Sequence, residues 1–165
     1  MKRLSFFSIF VVISLYYVNL SFGQATANLA DLTVSFKGPT TAAQGEIITD
    51  KIKISVKNKG GLVARNFHVD IILKESETVE YMCGRGYIAS LRPGQAISSA
   101  SAMALPVSIP RDIRPGNYGI CAIADSTGVV AESNEGNNRV CQRITITERV
   151  LRIDVPPKIP KDAMK

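Results

Sequence analysis

From Leu32 to Ile146 the chain alternates apolar and polar residues with a period of two, the pattern of half-buried strands. Leu32, Val34 and Phe36 alternate with Thr33, Ser35 and Lys37 until Gly38-Pro39 breaks the run. Ile52, Ile54 and Val56 then alternate with Lys51, Lys53, Ser55 and Lys57, which predicts a strand with a basic outer face. Asn58-Lys59-Gly60-Gly61 predicts a turn. Phe67, Val69, Ile71 and Leu73 form the next inward set, with His68, Asp70, Ile72 and Lys74 pointing outward. After the polar stretch Glu75 to Glu80, an edge strand is expected around Val79 to Met82 and another near Tyr87 to Leu91, closed by the turn Arg92-Pro93-Gly94-Gln95. Ile97 to Leu105 is a further strand, whose inward set carries Ser99 and Ser101 beside Ile97, Met103 and Leu105; a bulge there would shift the register. Tyr118, Ile120, Ala122 and Ala124 follow Pro115-Gly116, and Val140, Gln142, Ile144 and Ile146 mark the last strand, with Gln142 its polar member.

About seven strands with turn signals between them, and no convincing helix, predict an all-β fold of antiparallel strands. A β-sandwich is favoured, with a barrel as the alternative. From Glu148 onward the chain becomes basic and proline-bearing, which suggests a short extra strand at Val150 to Val155 and then a tail; residues 149–165 form a C-terminal extension.

The segment before the first strand sets the compartment. Met1-Lys2-Arg3 is a basic start, and Phe6 to Val18 is an apolar run of 13 residues, short of the roughly 20 that span a bilayer. Small residues at signal-peptidase spacing place cleavage after Gly23 or Ala27, so residues 1–23 are expected to be a signal peptide; an uncleaved anchor is the alternative. The mature protein is expected in the periplasm, at the cell surface or secreted, and not integral to the membrane. Removal of 23 residues leaves 142, enough for one domain with one core, and loss of Lys2 and Arg3 lowers the net charge from +6 to +4.

Export admits a disulfide, and the hairpin selects the pair. The segment Asp125 to Asn138, DSTGVVAESNEGNN, links two strands; if Ala124 lies opposite Asn138, Cys121 falls directly opposite Cys141. Directly opposed residues in a non-hydrogen-bonded pair sit about 4.5 Å apart at Cα, near the low end of what a disulfide tolerates. A Cys121–Cys141 bridge is therefore expected, against three free thiols as the alternative. Cys83 is the spare thiol, either quiet on an edge strand or an intermolecular link.

The same residues carry a family likeness. DLTVS, a bend containing Gly45, IKISVKNKGG, the IASLRPGQ turn, IPRDIRPGNY and IADSTGVVAESNEGNN occur in that order between Asp31 and Ile146. In this the chain resembles the CARDB domain (cell adhesion related domain found in bacteria), an immunoglobulin-like sandwich module of exported bacterial proteins. The resemblance implies that fold over residues 28–148, an exported setting and an adhesion or carbohydrate-associated role. It also supports a cysteine pair across this hairpin. It brings no chemistry that maps onto single residues. The serine-bearing strand Ile97 to Leu105 and the polar insert at Glu75 to Glu80 depart from the pattern.

The acidic loop raises the question of calcium. Asp125, Glu132, Asn134, Glu135, Asn137 and Asn138 offer enough oxygens for six to eight ligands, but the EF-hand spacing is absent. Asx and Ser side chains stabilise turns without any ion, so a structural loop is the favoured reading and no cofactor is expected. Glu132 and Asn138 are the residues expected to tie the loop to backbone.

His68 is the sole histidine, two residues from Asp70; a surface imidazole beside a carboxylate is commoner than a catalytic one, and no zinc set exists around it. Lys51, Lys53, Lys57 and Lys59, followed by Arg65, form a basic stripe that would suit an acidic polysaccharide, lipopolysaccharide or a partner protein, unless it is only a solvated sheet face. It lacks the interleaved aromatics of a nucleic-acid surface. These features point to a non-enzymatic envelope module that binds an unidentified protein or glycan. The second reading is a periplasmic accessory or chaperone-like protein that accepts a partner strand at an open sheet edge.

Overall fold

The computed structural model describes residues 28–98 and 106–150. The leader, most of the serine-bearing strand and most of the C-terminal extension lie outside these residues. The described chain is all-β, with strands β1 (Leu32–Lys37), β2 (Thr41–Ala43), β3 (Lys53–Asn58), β4 (Ala64–Lys74), β5 (Glu80–Leu91), β6 (Ala96–Ile97), β7 (Gly116–Ala124) and β8 (Arg139–Thr147). They form two sheets, ordered β1-β3-β6 and β2-β8-β7-β4-β5. The inward sets of both sheets close over one core. Leu32, Ile54 and Val56 face Phe67, Val69, Ile71, Leu73, Ile120, Ala122, Ile144 and Ile146, all buried. This is the β-sandwich arrangement, in which each sheet hides one face.

The structure corrects the expected strand set in three places. Eight strands occur among the described residues rather than about seven, and they are not all antiparallel. β2, three residues with no readable pattern, runs parallel to β8. The Gly38-Pro39 kink takes the chain from β1 in one sheet to β2 in the other. Gln142 stabilises that kink: Gly38 N–H donates to its Oε1 at 3.0 Å, and its Nε2 donates to the carbonyls of Gly38 and Pro39. The polar member of an apolar face is thus fully engaged by backbone.

Second, the two strands expected within Val79 to Leu91 are one twelve-residue strand, β5, paired along β4. A register shift between Ile71 and Ile72 leaves Cys83 as the extra residue of a bulge, which breaks the period of two. Third, Lys51 belongs to a 3-10 turn, Thr49–Lys51, and not to β3. Of the expected strand Ile97 to Leu105, Ile97 pairs with Val56, and residues 99–105 lie outside the described residues.

The turn at Asn58 is tied down from inside. Asn58 is fully buried and satisfies every polar atom of its side chain. Oδ1 accepts from Asp31 N–H (3.2 Å) and Gly60 N–H (3.0 Å). Nδ2 donates to the carbonyls of Leu62 (2.7 Å) and Leu91 (2.9 Å). Gly60 and Gly61 permit the chain to pass at residues 28–31, since a Cβ on Gly60 would lie 2.2 Å from the Leu29 carbonyl.

Candidate functional site

Three surfaces hold the residues singled out from the sequence: the hairpin loop, the outer face of the five-stranded sheet, and the outer face of the three-stranded sheet.

The hairpin loop begins where the sequence register places it. β7 and β8 pair with Cys121 opposite Cys141, and Ala124 N–H donates to the Asn138 carbonyl at 2.8 Å. Asp125 adopts φ 47°, the left-handed turn conformation that Asp tolerates. Its carboxylate is buried and accepts from Val129 N–H (3.1 Å) and Val130 N–H (2.8 Å). Glu132 is buried as well; one carboxylate oxygen accepts from Leu32 N–H of β1, and the other from Asn138 Nδ2 at 2.9 Å. Burial pushes the Glu132 carboxyl up to about 7, helped by the charges of Glu135 and Asp125 and opposed by its hydrogen bonds to Leu32 and Asn138.

Asn134 Oδ1 accepts from Gly136 N–H, and the Glu135 oxygens accept from Glu132 N–H and Asn138 Nδ2. Asn137 Nδ2 donates to Asp31 at 2.8 Å. The loop therefore works as a latch: it holds β1 against the β7–β8 hairpin through Glu132 and Asn137. Asn138 reaches the Glu132 and Glu135 side chains rather than backbone. Each carboxylate oxygen of Asp125, Glu132 and Glu135 accepts an N–H from within the domain, so these side chains have a structural role that needs no ion. Among the described residues, no group of three or more His, Cys, Asp or Glu side chains is placed to hold a metal ion.

On the outer face of the five-stranded sheet, Met82, Ile72, Cys121 and Cys141 form one row across β5, β4, β7 and β8. Cys121 and Cys141 are joined, with Cα atoms 4.0 Å apart. Arg139, one row along on β8, reaches Glu80, one row the other way on β5, at 2.8 Å. This ion pair crosses the row, and Arg139 Nη2 lies 3.7 Å from Cys121 Sγ. In the row this strap crosses, Ile72, outward by its alternation, is only 4% exposed.

Beside the strap, Asp70 takes two hydrogen bonds from Arg85, both 2.8 Å. Burial raises the Asp70 carboxyl, but the Arg85 hydrogen bonds and charge outweigh it and hold the group below its usual value. Asp70 is thus committed to Arg85 rather than to orienting His68, whose ring packs against Tyr87 with centroids 5.6 Å apart. Cys83 is a free thiol buried in the core, and burial pushes it up to about 12, which suppresses the reactive thiolate.

The outer face of the three-stranded sheet is different. Its outward side chains are Thr33, Ser35 and Lys37 of β1, Lys53, Ser55 and Lys57 of β3, and Ala96 and Ser98 of β6 and its end. Lys37 lies directly opposite Lys53, and Ser55 and Ser98 share a hydrogen bond of 2.8 Å. Of the basic stripe read from the sequence, Lys53 and Lys57 lie here. Lys51 is paired with Glu46 in the 3-10 turn region, Lys59 is in the turn after β3, and Arg65 belongs to the other sheet. The sequence reading missed Lys37. Its signal was available in the alternation of LTVSFK, but only the β1–β3 register brings it beside Lys53.

The ion pairs among the described residues are Lys51–Glu46, Lys74–Glu77, Arg85–Asp70 and Arg139–Glu80. The last three involve cations on the five-stranded face. None lies on the three-stranded one.

Fold and loop together define a small two-sheet β-sandwich module whose hairpin is latched to its first strand. The chain belongs to the CARDB family, whose family model matches residues 29–142. A solution NMR structure of the CARDB domain of the PF1109 protein from Pyrococcus furiosus is similar at 25% identity and a TM-score of 0.50, covering 72% of this chain and 96% of that one. A crystal structure of the same domain, described as a complex with di-metal ions, gives 24% identity and a TM-score of 0.49 over 72% and 90% of the two chains. A β-glucosidase from Listeria innocua in complex with glucose is similar at 11% identity and a TM-score of 0.45, over 74% of this chain but only 17% of the enzyme. No curated protein matches the chain. Among the described residues, no helix is long and apolar enough to cross a membrane.

Proposed function

We propose that this chain is an exported, non-catalytic module of the bacterial cell surface or periplasm, and that it makes adhesion-type contacts to a protein or glycan partner through the outer face of the β1-β3-β6 sheet. The observation that carries this reading is the division of charge between the two outer faces. On the five-stranded face Lys74, Arg85 and Arg139 are paired with carboxylates and Arg143 stands alone, whereas on the three-stranded face Lys37, Lys53 and Lys57 all lack a carboxylate partner among the described residues. Uncompensated cations on an ordered sheet form a field that favours an anionic partner.

Export rests on the leader-like residues 1–23, and the domain on residues 28–148. The immunoglobulin-like type of sandwich is supported by Tyr118, which sits near the start of β7 and donates its hydroxyl to the Arg114 carbonyl at 2.8 Å, in the manner of the tyrosine corner. Non-catalytic character is supported by the commitment of Asp70 to Arg85 and of the acidic loop to backbone. The strand-acceptor alternative is weakened at β5, the outermost strand of its sheet, because Ser108 N–H already bonds the Cys83 carbonyl there.

The test is binding of the mature protein to separated protein and glycan fractions of the envelope, compared with a Lys53→Glu/Lys57→Glu variant. Loss of a bound fraction on charge reversal is expected; binding indifferent to this change would overturn the choice of face.

A further inference from the structure

Resting on that reading of the face, we propose that its occupant is a linear polysaccharide bearing carboxylate or sulfate groups, laid along the strands of the β1-β3-β6 sheet. Three features of the face select this chemistry.

The first is the juxtaposition of Lys37 and Lys53. Like charges directly opposed across two strands destabilise a sheet unless something neutralises them. No carboxylate of the described residues does so. An anion shared between the two ammonium groups removes the repulsion, so this pair costs stability when free and favours the bound state.

The second is spacing. Lys57 lies four residues beyond Lys53 on the same side of β3, about 13 Å away at the usual strand rise. The cations thus mark out a line along the strand instead of a point. A line of separated charges suits a polymer with recurring anionic groups better than a single phosphate or carboxylate.

The third is what lies between the cations. Thr33, Ser35, Ser55 and Ser98 offer hydroxyls that can donate to and accept from sugar hydroxyls. Among the described residues, the single apolar side chain on the face is Ala96. Protein interfaces draw most of their energy from buried aromatic, aliphatic or Arg anchors, and membrane surfaces take up apolar side chains. This face supplies neither.

The experiment is equilibrium binding of the mature protein to a polyuronate, a sulfated polysaccharide and neutral dextran, with anionic vesicles and polyglutamate as competing classes. Binding to at least one acidic polysaccharide, weakening as salt rises, and none to dextran, is expected. The variant Lys37→Ser/Lys53→Ser/Lys57→Ser should lose affinity by about tenfold or more, while Lys37→Arg/Lys53→Arg/Lys57→Arg keeps it. A Lys59→Ser/Arg65→Ser variant, outside the face, should bind unchanged. All replaced side chains are exposed, and thermal unfolding of each variant checks that the fold is retained. The polyuronate and sulfate arms decide which anionic group is preferred. Failure to bind either acidic polysaccharide, or binding unaffected by the serine variant, overturns the proposal. Binding of polyglutamate or vesicles alone, lost in the serine variant, also overturns it but leaves the face reading intact.

Discussion

Replacement of Asn58 by Ala removes four side-chain hydrogen bonds at once. Two come from the N–H groups of Asp31 and Gly60 and two go to the carbonyls of Leu62 and Leu91. Each is worth about 1 kcal/mol net, and a partner left buried without a bond costs up to about 1–3 kcal/mol. Water can reach some of these groups once the side chain is gone, because Asp31 and Gly60 are only partly buried, but Leu91 is fully buried. The expected loss is therefore about 4 kcal/mol, a large share of the roughly 5–15 kcal/mol typical of a domain. The assay is urea unfolding followed by far-ultraviolet circular dichroism, with Asn117→Ala as a control. Asn117 is exposed and bonds Thr145 at the surface, so its loss should cost within about 0.5 kcal/mol. The midpoint for Asn58→Ala should fall with little change in slope. A loss below about 1 kcal/mol would refute the claim that this side chain pins the turn.

Glu132, with its carboxyl raised to about 7 from 4.5, is favoured in the folded state when protonated; its contribution is complete below about pH 4.5 and is lost as pH rises through 7, on the order of 3 kcal/mol. Chemical unfolding across that range should show the decline, and Glu132→Gln should remove it; a variant with the same pH slope would contradict the assignment. Thiol counting on unreduced, denatured protein should find one reactive cysteine, Cys83, which is shielded in the native state. Replacement of the Cys121–Cys141 pair by serines should cost about 3 kcal/mol for a loop of this length, read from thermal unfolding, and no loss would contradict a structural role. Calorimetric calcium titration should show no micromolar site, and such a site abolished by Glu132→Gln would reverse the latch reading of the loop.

The β7–β8 hairpin was the most legible part of the chain. Alternation on both strands fixes which face of each is inward, since a one-residue slip would expose the apolar sets, and closing the loop with Ala124 opposite Asn138 then sets the register. The cysteine pairing followed from that register. By contrast, β2 was illegible because Thr41-Ala42-Ala43 is too short to show a period and is held by its place beside β8. The continuity of β5 was hidden by the bulge at Cys83, since an inserted residue inverts the pattern beyond it. Lys51 looked like a strand residue because KIKISVK alternates throughout. Its backbone N–H instead bonds the Ile48 carbonyl at 2.9 Å and closes the 3-10 turn. The Arg139–Glu80 pair was equally hidden, because no local pattern encodes a contact that spans a sheet. The candidate face was half legible: Lys53 and Lys57 alternate visibly, but Lys37 joins them only through pairing between strands distant in sequence.

Chemical-shift mapping tests the central claim, that recognition runs through the lysine and hydroxyl face, most directly. Titration of an isotope-labelled mature protein with the acidic polysaccharide it binds should perturb amides of residues 33–37, 53–57 and 96–98 together, with Asp125 to Asn138 and the Arg139–Glu80 strap unmoved. Perturbations centred on the acidic loop or on the disulfide face, with the three-stranded face silent, would contradict it.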